Sequence, residues 1–172
     1  MYDGDVGNGA ELEGDTLLRR LTSEPERARQ TLHDEIMGLP RYSTRNRRVA
    51  PQAPGVYFMF RAEKIVYVGS SGHGKVTDSK GRLRRGLRRR LLMEFTRTRM
   101  SPIRQGIATE LGRSRYKART KAETDSSFEG KINEQLKQLD YAFRPTSSGE
   151  IASRLERRSI DLLRPKFNRR LK

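Results

Sequence analysis

Residues 54–69, PGVYFMFRAEKIVYVG, decide the fold. Two runs of β-branched and aromatic residues, PGVYFMF and KIVYVG, are separated by Arg61-Ala62-Glu63, a length that closes an antiparallel hairpin. Alternation puts Val56, Phe58 and Phe60 on one face of the first strand, and Tyr57 and Met59 on the other.

Upstream, Ser23 and Glu26 make a capping-box pattern with Pro25 in the first turn. A helix is expected to run from there to Met37, with Ala28, Leu32 and Ile36 on one face, ended by Gly38 and Pro40. Residues 41–54 read as a basic linker. Downstream, the glycine-rich stretch 70–81 leads into a helix with Leu83, Leu87, Leu91 and Phe95 four apart. Pro102 opens another helix, with Ile103, Ile107 and Leu111 in phase and Gly112 at its end. Residues 113–126 read as an exposed basic loop. Phe128, Ile132, Leu136 and Leu139 mark a further helix, and residues 140–144 a short strand. Ser147 with Glu150 suggests a second capping box, opening a last helix that Pro165 stops. No internal repeat is present.

The chain has 172 residues, enough for one domain with an extra arm. Charged residues make up 34%, against a usual ~25%, so the core is expected to be small. With no cysteine, a disulfide scaffold, a thiol nucleophile, a zinc–thiolate site and an iron–sulfur cluster are excluded. The two histidines, His33 and His73, are too few for an all-histidine metal site. No apolar run approaches the ~18 residues of a membrane span, and the acidic start is unlike a secretory signal. The expectation is a soluble, cytoplasmic protein without a membrane partner, nucleoid-associated if prokaryotic.

The net charge of +16 is unevenly spread. Residues 1–40 hold 4 basic and 9 acidic side chains, while residues 41–172 hold 33 and 12. Such a field attracts polyanions, and arginine, the commoner base here, suits phosphate oxygens and base stacking. Nucleic acid is the expected partner; a solvated basic surface or anionic lipid is the bland alternative.

Three local features bear on chemistry. The stretch 69–75, GSSGHGK, nearly spells a phosphate-cradling loop, but Val76 stands where Ser or Thr would hold magnesium, and a nucleotide triphosphatase is set aside. Glu156 falls inside the apolar arc of the last helix, between Leu163 and Ile160. A carboxylate there needs a cation, several donors or a metal ion, or else reaches solvent or an arginine from the arc's edge; both readings stand at this point. Tyr57 and Tyr67 lie on adjacent strands, and Arg90 flanks the apolar face of its helix.

Together these residues resemble the GIY-YIG nuclease superfamily. GVY at 55–57 and YVG at 67–69 are similar to its signature, Arg90 in GLRRRLLMEF to its arginine position, and RLERRSIDLLRPKFN to its closing glutamate, proline and asparagine. The resemblance spans about residues 54–169. It implies an α+β fold: a small three-stranded antiparallel sheet flanked by helices, here with an N-terminal helical arm. Residues 1–22 would be a mobile acidic tail, 23–53 the helix and basic linker, and 54–172 the nuclease domain.

The implied activity is phosphodiester hydrolysis of DNA by an endonuclease using Mg2+ or Mn2+. Glu156 would hold the metal, Tyr57 would lie beside the attacking water, and Tyr67 would bond within the site. Arg90 would bind the scissile phosphate, and Asn168 would brace the centre. Gly55 and Gly69 would be structural. Lys75, Arg82, Arg84, Arg85, Arg88, Arg89, Arg113, Arg115 and Lys117 would contact nucleic acid. Many members carry a histidine four residues after the arginine, where this chain has Glu94. A restriction-like enzyme, expected as a homodimer because two strands are cut, and a repair or structure-selective nuclease both fit. The alternatives are a non-catalytic nucleic-acid-binding module on a degenerate nuclease fold, and an RNA-cleaving nuclease.

Overall fold

The computed structural model describes residues 13–21, 24–72, 86–96, 101–113 and 125–168; of residues 47 and 93–96 only the backbone is described. The hairpin forms where its composition places it. Strand β2 (Gly55–Arg61) pairs antiparallel with β3 (Lys64–Ser71), Tyr57 facing Gly69 and Met59 facing Tyr67. The register shifts beyond Met59, and Val66 is the extra residue of a bulge. Ala62 takes a left-handed φ of 51° in the tight turn.

The sheet has four strands, not the expected three, in the order β1-β4-β2-β3. β4 (Asp140–Pro145) lies against β2, and β1 (Tyr42–Ser43) adds to its outer side through Tyr42↔Tyr141 and Ser43↔Asp140. A two-residue strand is too short to show alternation, so β1 is invisible within a basic linker. Its anchor is aromatic: the Tyr42 ring stacks on Phe143 at 5.7 Å between centroids.

Central position makes β2 buried on both faces, and its alternating side chains enter two different cores. Val56, Phe58 and Phe60 pack with α1 (Glu13–Arg20), α2 (Pro25–Met37) and α6 (Gly149–Leu163). Tyr57 and Met59 pack with α3 (Leu87–Thr96), α4 (Pro102–Glu110) and α5 (Ser126–Lys137). The apolar spacings hold: Ala28, Leu32 and Ile36 are buried on α2, Leu87 and Leu91 on α3, Ile103 and Ile107 on α4, and Phe128, Ile132 and Leu136 on α5. The result is an α+β fold with an antiparallel sheet between two helical layers.

Three details differ from expectation. Residues 13–20 form a helix within the stretch expected to be a mobile tail, because Leu17 and Leu21, four apart, bury against α6 and α2. With α2 in the same core, the N-terminal helices are part of the fold and not an arm beside it. The α2 N-cap is Glu24, with Pro25 at the first position, and Ser23 lies outside the described residues. The α6 cap is Ser148 rather than Ser147: its hydroxyl accepts from the Ile151 N–H at 3.2 Å. Ser147 instead donates its N–H to Asp15 at 3.0 Å, tying α1 to the start of α6. Among the described residues no helix is long and apolar enough to cross a membrane.

Candidate active site at the free edge of the sheet

β3 is an edge strand, and four of its consecutive residues meet the candidate set one after another. Tyr67 and Gly69 face the α3 side. The rings of Tyr57 and Tyr67 lie 6.0 Å apart, tilted by 47°. The Tyr57 side chain crosses directly over Gly69: a Cβ there would come within 2.3 Å of the phenol oxygen. The absence of a side chain at 69 is therefore what lets the tyrosine lie down on its neighbouring strand. At Gly55 a Cβ would meet the Arg144 carbonyl at 2.5 Å, so this glycine too is required by close approach.

Arg90 reaches the pair from the first turn of α3. Burial of Leu87 and Leu91 fixes the rotation of that helix. Its start is bound to residues 50–53: Leu87 N–H donates to the Ala53 carbonyl at 2.9 Å, and Arg88 Nε to the Ala50 carbonyl at 2.9 Å. In that setting Arg90 Nε donates to the Tyr57 hydroxyl at 3.4 Å.

Val68 and Ser70 face the other way, toward α6. Glu156 comes down from α6, and Ser70 Oγ donates to its Oε2 at 2.6 Å. Ser70 is only 6% exposed, so this bond is shielded from competing water. The free edge itself is closed by Asn168. Its Nδ2 donates to the Val68 carbonyl and its Oδ1 accepts from the Val68 N–H, both at 2.7 Å. One side-chain amide thus pairs the edge as a fifth strand would.

Asn168 is held by the short 3-10 turn Lys166–Asn168. Phe167 seats on Gly106 of α4, where a Cβ would meet its ring at 2.4 Å. Lys166 pairs with Glu110, which Arg61 Nη2 also bonds at 3.1 Å. Burial pushes the Glu110 carboxyl up, but the bonds from Lys166 and Arg61 outweigh it and hold the group below the usual glutamate value.

The structure therefore brings Tyr57, Tyr67 and Arg90 together on one side of the β3 edge, Glu156 on the other, and Asn168 across it. Ser70 is not singled out by the sequence reading. The signal for it is its place one residue beyond YVG, on the strand face that already carries Val68. Tyr57 has 0% exposure, so its hydroxyl meets Arg90 rather than bulk water. Of the arginines assigned to nucleic acid, Arg88 bonds the Ala50 carbonyl, and Arg113 pairs with Asp125 at 2.7 Å and lies over the Phe128 ring at 4.1 Å. The Asp125 carboxyl is lowered, first by capping the Phe128 N–H and then by Arg113. Arg89 is exposed on α3. Lys75, Arg82, Arg84, Arg85, Arg115, Lys117, His73 and Leu83 lie outside the described residues, as do the side chains of Glu94 and Phe95.

The donor set fits a hard, hydrated divalent ion. Among the described residues no protein group other than Ser70 bonds Glu156, and none of them forms a cluster of three or more carboxylates or histidines. One carboxylate with several waters is how magnesium is commonly held. No family model, curated protein or solved structure matches this chain.

Proposed function

We propose that the protein is a divalent-metal-dependent DNA endonuclease with a GIY-YIG-like site at the β3 edge. The observation that carries this reading is that one stretch of β3, residues 67–70, meets Arg90, Tyr57 and Tyr67 on one face and Glu156 on the other. In-line attack on a phosphodiester builds negative charge on the non-bridging and leaving oxygens. Glu156, aimed by Ser70, would hold Mg2+ or Mn2+. When bound, the ion supplies a hard positive charge that polarises the phosphate and acidifies water.

The other steps belong to the chain's own groups. Arg90 carries a fixed guanidinium fork suited to phosphate oxygens, and binding there competes with its contact to Tyr57. With Arg90 engaged by the phosphate, the Tyr57 hydroxyl would accept a hydrogen bond from, and orient, the attacking water. Asn168 keeps β3 from fraying under this load.

A second reading, a nucleic-acid-binding module on a degenerate nuclease fold, is favoured by the complete burial of Tyr57. The two are separated by a time course on supercoiled plasmid with magnesium, beside EDTA and Glu156→Ala. The nuclease reading predicts metal-dependent nicking or linearisation by wild type alone. Binding without cleavage of plasmid, branched DNA or RNA would select the module.

A further inference from the structure

The outer side of α6, turned away from Glu156, carries Arg154, Arg157 and Arg158 on adjacent turns. α1 lies alongside, and between the two helices runs an open groove of about 780 Å³. Leu21 and Ile151 form its floor, and Arg19, Arg154, Arg157 and Arg158 its rim. The composition of residues 1–40 is acidic, but the fold turns Arg19 from that segment toward the α6 arginines.

The rim is built from two kinds of guanidinium. Arg158 is half-buried and fixed: its Nε and Nη2 both donate to the Leu21 carbonyl at 3.1 Å, which among the described residues leaves its Nη1 for another acceptor. Arg154 and Arg157 are exposed and make no hydrogen bond or ion pair among the described residues. Two carboxylates oppose them, Asp15, which is already engaged by Ser147, and Asp161. Four cations against two anions leave the rim net positive, and along α6 Arg154 stands about one helical turn, ~5.4 Å, from the adjacent Arg157 and Arg158, an array suited to a run of negative charges.

We propose that this groove is a second nucleic-acid contact, in which Arg154, Arg157 and Arg158 bind successive phosphates of one DNA backbone. The choice of DNA rests on the nucleic-acid reading above, though not on cleavage. Only the width of one helix, ~10–12 Å, separates the groove from Glu156. One duplex turn of ~34 Å is long enough to reach from the β3 edge to the outer side of α6. Phosphate binding there adds affinity and fixes orientation without reading sequence.

The test is equilibrium binding of a labelled 30-base-pair duplex by the full chain in EDTA across a salt series. It is run for wild type, Arg154→Ala/Arg157→Ala, and a control, Arg27→Ala/Arg29→Ala, whose arginines are exposed on α2. Removing one neutralised phosphate lowers the salt slope by about 0.9, so the groove variant should drop by about 2 and bind at least tenfold more weakly at low salt. The control should keep the wild-type slope. An unchanged slope in the groove variant, or an equal drop in both variants, overturns the proposal. A fall in affinity for a polyglutamate peptide larger than that for DNA would assign the groove to an acidic protein instead. Because the binding is measured without metal, a failure here is distinct from a failure to cleave.

Discussion

Ser70 Oγ donates to Glu156 Oε2 at 2.6 Å across the junction of β3 and α6. The carboxylate is thereby held by a neutral donor, which fixes its direction without neutralising its charge. Beside a metal ligand, as Glu156 is proposed to be, hydrogen bonds of this kind commonly set metal affinity by 10–100-fold. Ser70→Ala is expected to raise the magnesium midpoint for cleavage about tenfold, with activity largely recovered at saturating metal and the fold intact. Direct Mn2+ binding should weaken in parallel. An unchanged midpoint would show that Glu156 is oriented by the helix alone.

Gly69 has no room for a methyl group, because the Tyr57 phenol occupies that space. Gly69→Ala should displace the Tyr57 ring from Arg90 and destabilise the protein by about 1–3 kcal/mol, the usual cost of overpacking. Urea denaturation measures the stability and a plasmid digest the activity. A variant with wild-type values in both would mean that the close packing of Tyr57 on β3 is not needed.

Acid should loosen the turn that carries Asn168. Glu110 and Asp125 both sit below their ordinary values in the folded protein, through Lys166 and Arg61 in one case and the Phe128 N–H and Arg113 in the other. A carboxyl lowered on folding contributes stability that is fully present above its unfolded value, ~4.3 for glutamate. That stability is lost as pH falls through the folded value. The urea midpoint should therefore be level near neutrality and decline below about pH 4.3. Glu110→Gln should lower the plateau and flatten part of the decline; an unaltered acid limb would contradict the pairing.

The N-terminal helix should behave as core. Leu17 and Leu21 are 2% and 1% exposed, against α2 and α6. Leu17→Ala should cost about 2–5 kcal/mol in urea unfolding, where a tail residue would cost nothing measurable. A value near zero would return residues 13–21 to the status of a tail.

Much of this fold is legible in the sequence because its elements keep strict periods. Val56, Phe58 and Phe60 alternate with Tyr57 and Met59, and each set enters its own core. The four-residue spacings of Ala28, Leu32 and Ile36, and of Phe128, Ile132 and Leu136, locate two helices to within a few residues. β1 is not legible, since two residues carry no period and its stabilisation is a stack of Tyr42 on Phe143 about a hundred positions away. α1 is hidden by the acidic and glycine-rich residues before it. At the site, Glu156 stands out as a charge in an apolar arc, whereas Ser70 does not, because its role exists only once α6 crosses β3. The choice of Ser148 over Ser147 as cap likewise depends on Asp15, which claims Ser147 from a distant segment.

Glu156 and Arg90 are proposed to serve catalysis rather than folding. The most direct test is single-turnover cleavage of a labelled duplex in magnesium by wild type, Glu156→Gln and Arg90→Lys, with thermal midpoint and DNA affinity measured on the same preparations. Rates should fall at least a hundredfold, about 2.7 kcal/mol of transition-state stabilisation, with affinity and thermal midpoint near those of wild type. Cleavage by Glu156→Gln at the wild-type rate would contradict it.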